Sequence, residues 1–172
     1  GDGVVENLEK YASVGLKLAH MNARYGGKGS GTGIIGDNIV KLTKLPFERI
    51  AEYDTACFGV PRLAFLKRWI TQPESKSFAY VLGEKILGYG VMRKCYSGYK
   101  IGPLFADDAK VAKALFDTLM RQVGQDEDVF FDVQETNGYA VKMAADYGMN
   151  KVFATGRIYS KGQPKFPLEK WY

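Results

Sequence analysis

Asp132 and Asn137 bracket the stretch of this chain whose residue types are best suited to chemistry. Asp132 lies within the apolar run Val129-Phe130-Phe131-Asp132-Val133, which the acidic cluster Asp126-Glu127-Asp128 opens. A carboxylate buried in such a strand has its pKa raised and can take up a proton. Alternation along the strand equally well turns it toward solvent. Asn137 heads the next segment, where its side chain either caps a helix or offers an amide to a ligand. Other chemistries find little support. His20 is the sole histidine, so neither a Ser-His-Asp hydrolase nor a His-rich metal site is indicated, and no metal ligand set is read. Cys57 and Cys95 have neither metal-site nor redox-motif spacing and read as reduced thiols.

The elements that must position these residues follow from periodicity. After Asn137, the residues Ala140, Met143, Ala144 and Tyr147 recur at helical spacing, and Gly148 stands where a C-cap glycine belongs. Val152, Ala154, Gly156 and Ile158 then alternate with their neighbours as a strand. Upstream, Asp107 or Asp108 caps an amphipathic helix carrying Ala112, Leu115, Phe116, Leu119 and Val123 on one face. Before it come strands at Phe78–Leu82, Ile86–Arg93 and Tyr99–Phe105, with turns at Gly83-Glu84 and Ser97-Gly98. Helices are predicted over Phe47–Phe58 and Arg62–Ile70, after a first strand at Ile39–Leu42. Leu168–Tyr172 reads as a last strand, and Val4–Leu16 as a short helix. The order is that of an α+β domain with a mixed sheet.

Composition narrows the classes. The 172 residues suit one domain with a proper core, or one domain plus a fragment, with 46% apolar and 25% charged residues. No apolar stretch is long enough to span a bilayer, and the opening residues show no signal-peptide pattern, so a cytoplasmic protein without a membrane partner is expected. The net charge of +5 suits an anionic cofactor. No basic stripe or known motif points to nucleic acid.

Strand, Asn-x-x-Ala helix, Gly-hydrophobic, strand, as it stands from Val129 to Ile158, resembles the C-terminal arm of the GNAT superfamily of acyl-CoA N-acyltransferases. The resemblance extends over residues 34–172. It implies a mixed, mostly antiparallel central sheet with helices on both faces. It implies an acetyl-CoA cofactor in the splay between the strands at Tyr99–Phe105 and Val129–Val133. The pantetheine arm would pair with backbone around Gly102, Leu104 and Phe105 and bond Asn137. The pyrophosphate would rest on the amides of Ala109, Lys110, Val111 and Ala112. An amine acceptor, small molecule or peptide, would lose a proton to Asp132 or Glu135. The family's tyrosine acid falls at Ala144, which leaves Tyr139 as the candidate and predicts that Ala144→Tyr raises turnover.

The cofactor loop departs from the family pattern Arg/Gln-x-x-Gly-x-Gly/Ala. In Ala106-Asp107-Asp108-Ala109-Lys110-Val111-Ala112 only Ala112 fits, and the two aspartates oppose a pyrophosphate. A literal match, Arg24-Tyr25-Gly26-Gly27-Lys28-Gly29, lacks the strand-then-helix context and reads as linker. Two functions therefore stand: an acyl-CoA-dependent N-acyltransferase, or a degenerate GNAT-like domain with a structural, substrate-binding or interaction role.

An internal echo bears on the domain plan. Leu8 to Leu16 is similar to a GNAT helix end, and Gly15 precedes Arg24 by nine residues, as Gly148 precedes Arg157. The chain resembles the C-terminal domain of tandem-GNAT acetyltransferases. Residues 1–28 are read as the remnant of a preceding domain, 29–33 as a Gly-rich linker and 34–172 as the GNAT-like domain. The 1–28 remnant is expected outside the main sheet, packed on a partner chain in a homodimer or standing in for a missing N-terminal domain.

Overall fold

The computed structural model describes residues 22–134, 136–154 and 168–172. The expected N-terminal helix, Tyr11, Glu135 and the end of the strand predicted through Ile158 lie outside them. The elements are β1 (Asn22–Lys28), β2 (Ile39–Lys41), α1 (Phe47–Phe58), α2 (Leu63–Thr71), β3 (Ser75–Leu82), β4 (Lys85–Cys95), β5 (Gly98–Ala106), α3 (Ala109–Arg121), β6 (Asp128–Gln134), α4 (Gly138–Asp146) and β7 (Asn150–Ala154). They build one seven-stranded sheet in the order β2-β3-β4-β5-β6-β1-β7. Every pairing is antiparallel except β5 with β6, and α3 supplies the crossover that a parallel pair needs.

Alternation sends the two sets of strand side chains into two cores. On one face, Leu115, Phe116 and Leu119 of α3 and Ala140, Met143 and Ala144 of α4 pack on Ile101, Phe131 and Val133. On the other, Ile50 of α1 with Leu66 and Ile70 of α2 packs on Ala79, Tyr89 and Val91. This is the mixed, mostly antiparallel sheet with helices on both faces that the sequence predicts.

The position of β1 corrects the expectation for residues 22–28, the described part of the 1–28 segment. β1 is inside the sheet, paired along its whole length with β6, from Asn22 opposite Gln134 to Lys28 opposite Asp128, and on its other edge with β7. The reason is register. Ala23 and Tyr25 fall opposite Val133 and Phe131, so the apolar side of β1 joins the α3 core, while Arg24 falls opposite Asp132. The glycine-rich segment that follows is held against α3. Ser30 and Gly33 donate to the carbonyls of Met120 and Arg121 at 3.0 and 2.8 Å, and Gly36 donates to Thr118 Oγ1 at 3.2 Å. Gly29 donates to Glu127 O at 3.2 Å, and a Cβ at this position would run into the Val123 carbonyl.

Candidate functional site in the splay between β5 and β6

Parallel pairing of β5 and β6 runs only from Tyr99 opposite Val129 to Ile101 opposite Phe131. Beyond it the strands diverge, because β5 continues through Gly102-Pro103, where proline has no N–H for a ladder, and stays with β4. The expected splay is therefore present. Its β5 wall exposes backbone near Leu104. Its far wall is the start of α4, capped by Asn137, whose Oδ1 accepts from the Ala140 amide at 3.0 Å. With Oδ1 so engaged, the Nδ2 donors of Asn137 face the opening.

The opening is filled by the chain itself. Trp171 forms an antiparallel bridge to Phe105, and the Tyr172 amide donates to Leu104 O at 2.9 Å. Asn137 Nδ2 donates to Trp171 O at 3.1 Å from the other wall. The Trp171 ring stacks on Phe58 and tilts against Phe105, with its indole N–H on Cys57 O at 2.8 Å. Lys170 reaches Asp107 at 3.1 Å. Residues 168–170 are a 3-10 turn rather than the last strand expected there, and only Trp171 joins the sheet.

The start of α3 is also committed. Asp108 is the N-cap: its Oδ1 accepts from Val111 N at 2.9 Å and its carbonyl from Ala112 N at 3.1 Å. Val111 and Ala112 are buried in the core, while Lys110 is exposed. Asp107 accepts from Tyr53 Oη at 2.9 Å as well as from Lys170. Burial, then the nearby Asp108 and Tyr139, raise the Tyr172 pKa, which puts this phenol beside the helix start. Of the residues expected to hold the cofactor, Gly102, Leu104 and Phe105 lie on β5, Ala109, Lys110, Val111 and Ala112 open α3, and Asn137 caps α4. What they present does not fit acyl-CoA. The Asp108 side chain takes one of the free amides at the helix start, that of Val111, two carboxylates sit there, and the β5 edge and Asn137 hold Trp171 and Tyr172.

Asp132, one of the two expected bases, stands elsewhere. Asp132 faces away from the α3 core, on the side of the sheet where Arg24 bonds it through Nε at 2.7 Å and Lys100 at 3.0 Å. Burial pushes its pKa up, but the hydrogen bonds from Arg24 and Lys100 prevail and the net shift is downward. A carboxylate held by two cations is a poor proton acceptor. Tyr139 is half-buried on the α3 core. Ala144 is fully buried in that core, so a tyrosine there would enter packed side chains rather than the splay.

Sequence reasoning overlooked a buried cluster behind the splay. Asp54 of α1 accepts two hydrogen bonds from Arg62, at 2.8 and 2.7 Å, and one from Tyr89 Oη. Asp54 is 1% exposed. Burial foremost, then Asp54, drives the Tyr89 pKa well up. The Arg62 guanidinium lies over the Phe58 ring at 3.9 Å and the Phe65 ring at 4.9 Å. An Asp at a helical position between apolar neighbours, eight residues before an Arg, was the available signal.

The profile of the acetyltransferase (GNAT) domain matches residues 50–172. The chain belongs to this family. It is 25% identical over 164 residues to the holothin acyltransferase of Pseudoalteromonas sp. (strain SANK 73390), covering 95% of this chain and 56% of that protein. Two solved structures share the GNAT fold with it. A Pyrococcus horikoshii protein assigned as an acetyltransferase has a TM-score of 0.61 at 19% identity, over 88% of this chain and 48% of that one. A GNAT-family acetyltransferase of Colwellia psychrerythraea has a TM-score of 0.53 at 17% identity, over 76% and 52%. This chain spans about half the length of these relatives. No helix among its described residues is long and apolar enough to cross a membrane.

Proposed function

We propose that this GNAT domain is the half of an acyl-CoA-dependent N-acyltransferase that does not itself load the cofactor, and that it serves the acyltransferase structurally or in holding an amine acceptor. The observation that carries this reading is Asp108. Its side chain takes the free amide of Val111 at the point where a GNAT enzyme seats a pyrophosphate, and Asp107 stands beside it. Negative charge at a helix N-terminus stabilises the helix and opposes a bound anion. The family relationship and the acyltransferase relative support the overall activity; the tandem-domain plan accords with a chain that spans about half of that relative.

The second reading, an enzyme complete in itself, draws on the divergence of β5 and β6 after Ile101. Calorimetric titration with acetyl-CoA separates the two. The proposal expects no measurable heat of binding to the intact chain. A tight complex, with the pyrophosphate on the amides of Ala109 to Ala112, overturns it and makes this domain the enzyme.

A further inference from the structure

We infer that the splay between β5 and β6 is a groove for a tryptophan-bearing peptide, and that Trp171 and Tyr172, led in by the 3-10 turn at residues 168–170, are the ligand it holds here. The inference rests on the reading that this groove does not load the cofactor. It is argued from what the two walls recognise.

Both walls bind main chain. Leu104 O accepts the Tyr172 amide at 2.9 Å, Phe105 bridges Trp171, and Asn137 Nδ2 donates to Trp171 O at 3.1 Å. An exposed strand edge that takes a further strand gains affinity from backbone groups and specificity from side-chain sockets. The socket here is built for an indole. Phe58 stacks on Trp171 with centroids 5.9 Å apart and planes 7° from parallel, Phe105 closes the side at 5.7 Å, and Cys57 O accepts the indole N–H at 2.8 Å. No other natural side chain offers both that ring area and that donor.

The socket is held from behind. Arg62 lies over Phe58 at 3.9 Å and Phe105 at 5.9 Å, and Asp54 fixes Arg62 through both carboxylate oxygens. The aromatic walls therefore stay in place when the indole leaves. Charge adds direction. Lys170, one residue before the tryptophan, reaches Asp107 at 3.1 Å and lies over the Tyr53 ring at 5.6 Å. The cation Lys170 and the indole of Trp171 are each met by a complementary group, and Tyr172 is held through its backbone amide.

The test uses the peptide Leu-Glu-Lys-Trp-Tyr, labelled at its N-terminus, in fluorescence anisotropy. The intact chain with Trp171→Ala should bind it, and the unaltered chain should bind at least about tenfold more weakly because its own segment competes. The same peptide with its tryptophan replaced by alanine should lose at least about tenfold in affinity. A second variant, adding Asn137→Asp to Trp171→Ala, keeps a capping acceptor but removes the donor to the peptide carbonyl, and should weaken binding without lowering the melting temperature. Failure of the folded Trp171→Ala chain to bind, or equal binding of the alanine peptide, overturns the inference. Acetyl-CoA that displaces a bound peptide overturns the functional reading instead and leaves the peptide groove standing.

Discussion

Arg24 and Asp132 face each other across β1 and β6, joined by two hydrogen bonds of 2.7 and 3.2 Å although 108 residues separate them. Lys100 completes the cluster from β5. The folded state lowers the Asp132 pKa, with burial opposing and the two cations prevailing. A depressed carboxylate contributes stability above its unfolded pKa of about 4, and that contribution is lost as pH falls through the lower folded value. Asp132→Asn should therefore cost about 1–2 kcal/mol at pH 7 and progressively less below about pH 4. Urea unfolding at both pH values checks this. An equal loss at both would show that charge is not what the cluster contributes.

Asp54 is the more consequential carboxylate. Replacing it with alanine leaves the Arg62 guanidinium, over Phe58 and Phe65, without its acceptor, and should cost about 3–5 kcal/mol. Tyr89→Phe removes one hydrogen bond and keeps the ring against Phe105, for a cost of about 1 kcal/mol. Guanidinium denaturation of the two variants should rank them in that order.

Gly29→Ala should destabilise by about 1–3 kcal/mol, because the new methyl group must push the Val123 backbone away. Gly33→Ala, where no atom stands within 4 Å, meets only its left-handed φ of +70° and should lose about 1 kcal/mol. Paired thermal melts would separate close approach from backbone conformation.

Ala144→Tyr should lower the melting temperature and restore no turnover. Ala144 is buried between α4 and the sheet core, and its carbonyl accepts the amides of Tyr147 and Met149. Inserting a phenol there overpacks the core at a cost of about 1–3 kcal/mol or more. A gain in acetyl transfer would contradict the placement of this helix face.

Cys57 should resist alkylation. Burial pushes its thiol pKa up to about 11, so little thiolate exists at neutral pH, and its side chain is enclosed. Cys95 is partly exposed. One thiol should react with iodoacetamide at pH 7.5, and mass spectrometry should locate it at Cys95.

Much of the fold was legible because its signals are local. Asp108 and Asn137 are the helix caps their positions suggest, and Gly148 takes the left-handed φ of +67° that a helix end favours. On α3, Ala112, Leu115, Phe116 and Leu119 are buried as their spacing predicts, and Val123 is buried just beyond the helix end. The place of β1 was not legible. Tyr25-Gly26-Gly27 has the composition of coil, and its partners lie more than a hundred residues away in sequence, where periodicity carries no information. The splay was legible through Pro103, but its occupant was not, since Trp171 meets Cys57 and Phe58 across more than a hundred residues of sequence.

The interior place of β1, between β6 and the edge strand β7, shapes how the chain is made. Synthesis delivers β1 before β6 and β7, and at cellular elongation rates its partner arrives on the order of ten seconds later. Through that interval the strand has two bare edges, each a template for wrong pairing with another nascent copy. A valine-rich segment in that position would be an aggregation hazard. Adjacent glycines at Gly26 and Gly27 weaken its intrinsic tendency to pair, and Gly26 leaves room for Phe130 and Val152 once the neighbours are in place. The poor strand propensity that hides β1 from a sequence reader also keeps it unpaired until its own sheet is ready to receive it.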